Sequence, residues 1–305
     1  MKSRWQGVLP QPIAFVLSGG AALGAIQVGM LKALRDAGLQ PDLVVGTSAG
    51  ALNGAVIADK GLEEGIEALD GLWRVMGRED IFPGGRLAQV RRLLSTRTSL
   101  FPNDRLAELG CRMLTARHFE DLLLPFGALA TELLTYHGTL FTSGILHPAL
   151  LASAAIPGVY PPVEINGVEY VDGALTAYVP MGAALQMGAA SLVVLDAGDT
   201  CHRQRAPRHV AEMFVASMQA ALRQRVRVEA SAIAKDLPVL YLPTPCPVTQ
   251  GLLDFSQSAN LMEQAAEMVA NFLLDAPIPK PGLMCGAPHF HDDGPIYNLT
   301  RIARV

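Results

Sequence analysis

The sequence predicts an α/β fold, a three-layer α/β/α sandwich on a mainly parallel central sheet, and three observations carry that reading. Ile13 to Leu17 is a continuous apolar run that ends in Gly19-Gly20, as a strand buried on both faces should look. A helical stretch from Ala25 to Ala37 follows, with Ile26, Met30, Leu31 and Leu34 on one face and Gly38 as its stop. Asp42 to Val45 then repeats the pattern, with Gly46-Thr47-Ser48-Ala49-Gly50 opening the next helix. Two strand-helix units in succession call for parallel strands joined by right-handed crossovers.

The elements after this opening read in order. Ala49 to Lys60 and Leu62 to Met76 are helices, and Gly77 to Arg105 is irregular. That irregular insert is a candidate lid carrying Arg78, Arg86, Arg91, Arg92, Arg97 and Arg105. Asn103 or Asp104 caps a helix that runs to Leu114. Ala128 to Tyr136 and Thr139 to Thr142 are strands, and His147 to Ala155 is a short helix stopped by Pro157. Asn166-Gly167 sits between alternating residues of Val163 to Val171, the turn pair that a tight hairpin requires. Strands at Leu192 to Leu195 and Val239 to Leu242 enclose a long helix from about Pro207 to Lys235, and Ala259 to Leu274 is a final helix. The expected organisation is an extension over 1–12, one domain over 13–274, and a Pro/Gly-rich tail over 275–305 that packs partly or not at all.

Composition narrows the function. Half of the 305 residues are hydrophobic and 17% are charged, which suits a large core and leaves some apolar surface exposed. A formal net charge of -4 speaks against nucleic-acid binding as the main role, since phosphate contacts need a basic face. Cys111, Cys201, Cys246 and Cys285 are widely spaced without a zinc pattern, so they read as reduced thiols of a cytoplasmic protein. Lys2 and Arg4 precede an apolar stretch, but Pro10 and Pro12 interrupt it, so no signal peptide is expected, nor any transmembrane segment. Neither a metal nor an organic cofactor is implied. His289, His291, Asp292 and Asp293 only superficially resemble a metal cluster, and nothing sets the oligomeric state.

Chemistry concentrates in the two turns. A serine hydroxyl needs a base to take its proton and donors to stabilise the oxyanion formed on attack. Ser48, between Gly46 and Gly50 at a strand-to-helix elbow after the second strand, has the exposure a nucleophile needs. Gly19, Gly20 and Ala21, ahead of Gly24, offer successive N–H groups at a helix start, where developing negative charge is favoured. A dinucleotide-binding turn is the rival reading, but Ala21 occupies the second glycine position of that motif. Only one complete strand and the start of another precede Ser48, which fits an ordinary α/β-hydrolase badly, and the seven histidines lie in loops, element edges or the tail. Asp172, at a strand end with Gly173 beside it, is the better base.

Four ordered blocks, Leu17 to Ala25, Gly46 to Gly50, Ala152 to Gly158 and Asp172 to Ala174, resemble those of the patatin-like phospholipase family. The likeness runs from about Ile13 to about Leu274, including Asp254-Phe255-Ser256. It implies a cofactor-free lipid acyl hydrolase with a Ser48-Asp172 dyad, an acyl-serine intermediate, and Gly19, Gly20 and Ala21 as the oxyanion hole. A phospholipid or other lipid ester is the implied substrate. The family usually has glycine where this chain has Ala21, and often Arg or Lys where it has Leu23. Peripheral contact with the inner membrane surface is expected through the arginines of the insert or through Arg203, Arg205 and Arg208. The alternatives are a thioesterase or acyltransferase using the same serine, or a catalytically silent lipid- or nucleotide-binding protein.

Overall fold

The computed structural model describes residues 4–96, 98–198, 206–246, 251 and 253–288. Strand β1 (Ile13–Leu17) leads through a 3-10 turn (Ala21–Gly24) into helix α1 (Ala25–Asp36), and β2 (Leu43–Thr47) leads directly into α2 (Ala49–Val75). Helices α3 (Arg78–Ile81), α4 (Arg86–Thr96) and α5 (Asp104–Met113) follow, then the hairpin of β3 (Phe126–Glu132) and β4 (Gly138–Phe141) and helix α6 (Leu146–Ser153). A second hairpin, β5 (Val163–Ile165) and β6 (Val168–Asp172), precedes α7 (Met181–Gln186), β7 (Ser191–Leu195), α8 (Val210–Ile233), β8 (Val239–Tyr241) and α9 (Ser258–Asp275).

Hydrogen-bonded neighbours in the sheet run β5, β6, β3, β2, β1, β7, β8, and β4 also pairs with β3. The five strands β3, β2, β1, β7 and β8 are mutually parallel, while β4, β5 and β6 are antiparallel additions. Side chains along the central strands alternate between two cores. Phe15, Leu17, Val44 and Val193 face one core with α1, α2 and α9, whereas Ala14, Val16, Val45 and Val194 face the other with α7 and α8. Helices on both faces make the three layers that the continuous apolar strands predict. Each fully buried Phe, Leu or Val of these strands contributes about 1.5–3 kcal/mol relative to exposure.

The register of β3 explains how distant segments meet. Its Ala128 pairs with both Gly46 of β2 and Phe141 of β4, and its Ala130 pairs with both Asp172 of β6 and Thr139 of β4. A strand has two edges, so β4 occupies one and β2 and β6 share the other, end to end. Thr47 therefore lies opposite Leu129 and Asp172 opposite the next residue, Ala130. Asn166 (φ 53°) and Gly167 (φ 81°) turn the hairpin that delivers β6 to this position.

The two helices expected over 49–60 and 62–76 are both present within α2: Gly61, at φ 75° and ψ 173°, is non-helical and separates them. The insert over 77–105 is helical rather than irregular, containing α3, α4 and the start of α5. Of the two expectations for the tail, partial packing or none, its described part shows packing at the sheet edge: Cys285 is buried, its N–H donates to Val239 O at 2.9 Å, and its carbonyl accepts from Tyr241 N at 2.8 Å. Proline content hides this, because a single bridge residue leaves no periodicity. At the other end, Trp5 is buried and donates its indole N–H to Leu273 O at 3.0 Å. The four thiols are not all reduced, since Cys246 is disulfide-bonded to a partner outside the described residues, while Cys111 and Cys285 are free. That removes cysteine usage as a ground for assigning a reducing compartment. Among the described residues, no helix is long and apolar enough to cross a membrane.

Candidate active site

Parallel pairing of Leu17 with Gly46 puts the exits of β1 and β2 at one end of the sheet, and both motif turns grow from there. The glycines of the pentapeptide are required by close approach. A Cβ on Gly46 would stand 2.3 Å from Gly50 O, and one on Gly50 would stand 2.4 Å from both Leu17 O and Ser18 O. Between them Ser48 is held at φ 54° and ψ -125°, a sparsely populated conformation that costs on the order of 1–3 kcal/mol and persists only where its surroundings enforce it.

Those surroundings are identifiable. Ser48 N–H donates to Ser153 Oγ at 3.0 Å, and Ser153 Oγ–H donates to Leu129 O at 2.6 Å. Two residues on, Ala155 O accepts the Asp172 N–H at 2.9 Å. The C-terminal end of α6 thus grips the main chain of both Ser48 and Asp172. Both lie in the Ala152 to Gly158 block, which carried no role for either at the level of sequence.

Ser48 Oγ lies 2.6 Å from Asp172 Oδ2, and both residues are buried. The other carboxyl oxygen, Oδ1, accepts the Ala174 N–H at 2.8 Å. Burial pushes the Asp172 carboxyl up to about 6 from an ordinary value of 3.8, and the hydrogen bonds from Ser48 and Ala174 moderate the rise. A carboxyl with this value remains ionised at neutral pH and is a stronger base than a solvated one.

The glycine-rich turn is divided in its use. Gly19 N–H donates to Tyr178 O at 2.9 Å, which takes it out of the expected donor set, because the turn packs directly on the 177–180 loop. Gly20 and Ala21 have no such main-chain acceptor among the described residues. Ala21 adopts φ 49°, so alanine takes up the left-handed conformation in place of the glycine usual at this position. Ala49, next after Ser48 and first in α2, lines the same cavity as Ala21, and its first-turn N–H lies outside the donor set expected from the sequence. Leu23 is 1% exposed and belongs to the core, so no cation stands at that position. Gly24 and Gly173 are packed against Trp73 and Leu129 respectively.

Behind the turn runs a buried polar chain that was not legible in the sequence. Gln27 Nε2 donates to Ser18 O at 2.8 Å, Asn53 Nδ2 donates to Gln27 Oε1 at 2.9 Å and to Gly24 O at 3.0 Å, and Trp73 Nε1 donates to Asn53 Oδ1 at 3.0 Å. Each buried polar group is satisfied, so the chain rigidifies the turn rather than weakening the core.

Ser48 and Ala21 sit where two cavities meet. The first is lined by apolar side chains including Leu52, Trp73, Phe82, Met113 and Tyr160. Insert residues Ile81 and Phe82 form part of its wall. The second holds Asp172 and Gly20 and is walled by Tyr178, Met218, Leu222 and Arg223. Arg223 pairs with buried Asp196 at 2.8 Å and lies over the Tyr178 ring at 5.2 Å. Burial alone would raise the Asp196 carboxyl, but Arg223, Tyr241 and the Gly198 N–H hold it below its ordinary value.

No histidine lines either cavity among the described residues, and no cluster of three or more His, Cys, Asp or Glu is placed to hold a metal. The His289 to Asp293 stretch lies outside the described residues, as do Arg203 and Arg205. Of the insert arginines, Arg78 pairs with Glu79 at 3.3 Å and covers the Phe101 ring, Arg105 pairs with Glu108, and Arg91 is exposed. The Arg86 side chain and Arg97 fall outside the description. Arg208 is exposed.

A strained serine elbow hydrogen-bonded to a buried aspartate, at the end of a mainly parallel α/β sheet, defines the class of site. The family model for patatin-like phospholipase matches residues 15–185, and the chain belongs to the patatin-like phospholipase family. The chain is similar to patatin-like phospholipase domain-containing protein 7 of Rattus norvegicus, 31% identical over 191 residues that cover 61% of this chain and 14% of that protein. It is also similar to lysophospholipase NTE1 of Mycosarcoma maydis, 26% identical over 276 residues that cover 89% of this chain and 14% of that protein. This chain therefore spans about a seventh, 14%, of the length of these relatives. Among solved structures, VipD from Legionella pneumophila aligns over 87% of this chain and 67% of that chain at 14% identity with a TM-score of 0.42.

Proposed function

We propose that the protein is a lipid acyl hydrolase of phospholipase A or lysophospholipase type, with Ser48 as nucleophile and Asp172 as general base. The observation that carries this reading is the 2.6 Å contact between Ser48 Oγ and the buried Asp172 carboxylate. In the proposed reaction Asp172 takes the hydroxyl proton as Ser48 Oγ bonds to the ester carbonyl carbon. Charge gathers on the carbonyl oxygen, to which the N–H groups of Gly20, Ala21 and Ala49 would donate. Loss of one such donor typically costs about 10²–10³ in rate.

Collapse of the tetrahedral adduct breaks the ester C–O bond, and Asp172 returns its proton to the departing alkoxide. An acyl-Ser48 ester remains. Water then attacks it, with Asp172 again accepting the proton, and the fatty acid leaves as Ser48 is restored. The apolar cavity lined by Leu52, Trp73 and Tyr160 would receive the acyl chain, and the cavity beside Arg223 the rest of the lipid. No metal or organic cofactor enters any of these steps.

The test is fatty-acid release from a panel of phospholipids and lysophospholipids by the parent, Ser48→Ala and Asp172→Asn. Release by the parent and its loss in both variants is expected. Equal release by either variant rejects the assigned roles, and transfer of the acyl group to an alcohol or thiol without free fatty acid marks an acyltransferase.

A further inference from the structure

Helix α8 has three differently dressed sides. Val226 and Ala230 are buried against the sheet, and Val215, Met218 and Leu222 line the cavity that holds Asp172 and Ser48. The remaining side faces solvent. There Val210 is 89% exposed, Met213 54%, Phe214 68% and Val228 53%, with Ala220, Ala221 and the uncharged Ser217 and Gln224 exposed between them.

Solvent faces of helices ordinarily carry charge. Here the exposed positions with described side chains from 210 to 228 contain no carboxylate, and Arg225 is their one charged residue. The two acids nearby are turned to other partners: Glu212 accepts the Arg208 N–H at 2.8 Å, and Glu229 accepts the Gly182 N–H at 3.0 Å. Arg208 is itself exposed just ahead of the helix. A largely apolar helix face with arginine near each end and no acid among its exposed residues matches an anionic bilayer, whose interior takes the apolar side chains and whose headgroups take the guanidinium groups.

We propose that the solvent face of α8 docks the protein on an anionic lipid bilayer, with Met213 and Phe214 inserted below the headgroups. Continuity supports this occupant over a second copy of the chain, because the next side of the same helix walls the Ser48 cavity. A lipid leaving the bilayer reaches the hydroxyl without crossing water. The delivery role rests on the lipid-hydrolase reading, whereas the docking itself is measured without it.

The experiment is co-sedimentation of the full chain with phosphatidylcholine vesicles made with and without phosphatidylglycerol, at low and high salt, comparing the parent with the Met213→Glu/Phe214→Glu double variant. The parent is expected to favour the phosphatidylglycerol vesicles and to lose affinity as salt screens the arginines. The double variant is expected to bind at least about tenfold more weakly. Its circular dichroism and its hydrolysis of a short-chain soluble ester should match the parent, since both side chains are exposed and neither lines a cavity. Equal vesicle binding by the two proteins overturns the proposal, as does a parent that binds neither vesicle. A dimer that the double variant dissociates, with vesicle binding unchanged, assigns the face to a second copy instead and also overturns it. Absence of soluble-ester hydrolysis by the parent rejects the hydrolase reading and leaves the docking to be judged on vesicle binding.

Discussion

Ser153 Oγ accepts the Ser48 N–H at 3.0 Å from the far end of another helix, and it holds Ser48, the proposed nucleophile, in a backbone conformation that serine otherwise avoids. Because Ala155 O accepts the Asp172 N–H, the same short segment sets the spacing of both reacting groups. Ser153→Ala leaves a buried N–H without a partner, at about 1–3 kcal/mol. A fall in kcat of about tenfold or more with little change in KM is expected, since each 1.36 kcal/mol in the barrier is tenfold in rate. Steady-state kinetics on a soluble ester check this, and a change confined to KM contradicts it.

As the proposed base, Asp172 is expected to set the pH dependence. Its value of about 6 in the folded protein means that the base is protonated and inactive below that pH, so kcat/KM is expected to rise through an apparent pKa near 6 and then level off. In Ser153→Ala the limb should move upward, because loosening the Ser48 contact removes a hydrogen bond that favours the carboxylate. A rate profile flat from pH 4 to pH 8 would count against Asp172 as the base.

The same shift has a stability consequence with a definite sign. The folded carboxyl binds its proton more tightly than the unfolded one, which has the ordinary value of 3.8, so between about 4 and 6 the folded state holds more protons. Stability from this group is therefore lost as pH rises through that window. Asp172→Asn is expected to raise the thermal midpoint at pH 8 relative to the parent and to leave it nearly unchanged at pH 4. Calorimetry at the two pH values decides it, and a lowered midpoint at pH 8 contradicts the burial account.

Much of this candidate site is legible in the sequence, and the reason is local. Buried parallel strands write themselves as apolar runs that stop at glycine, so β1, β2 and the two turns after them stand out. Asp172 was legible as a strand-end aspartate, and the geometry that brings it to Ser48 depends on β2 and β6 sharing one edge of β3. What escaped is what long-range pairing decides. Ser153 lies in a run of small residues, 105 positions from the amide it serves. Gly19 reads as a donor until Tyr178 O is seen to occupy its N–H. The Gln27, Asn53 and Trp73 chain consists of polar atoms on otherwise apolar helix faces, where periodicity gives no hint of partners. The insert misled because Phe82-Pro83-Gly84-Gly85 breaks it into short helices whose apolar residues wall a cavity rather than a regular core.

Ala21 offers a test in the gaining direction. Its φ of 49° costs an L-residue about 1–2 kcal/mol, and glycine accepts it without that penalty, although glycine loses about 0.5–1 kcal/mol to greater freedom when unfolded. Ala21→Gly is expected to leave stability unchanged or raise it by about 1 kcal/mol, with activity retained. Denaturant unfolding checks the sign. A loss above about 1 kcal/mol means that the conformation is not strained for alanine.

Gly50 offers the opposite test. A Cβ there would lie 2.4 Å from two main-chain oxygens of the β1 exit, so Gly50→Ala must push the two turns apart. A loss of about 1–3 kcal/mol in stability is expected, together with a larger loss of activity than stability, because the displaced elements carry Ser48 and the candidate oxyanion donors. Equal folding and equal turnover by Gly50→Ala would show that the turns are not tightly joined.

The most direct measurement is mass-spectrometric mapping of a fluorophosphonate adduct on the intact protein. Modification confined to Ser48, absent in Ser48→Ala and greatly slowed in Asp172→Asn, is the expected result. Labelling that persists at an undiminished rate in Asp172→Asn, or that falls on another serine, contradicts an aspartate-activated Ser48.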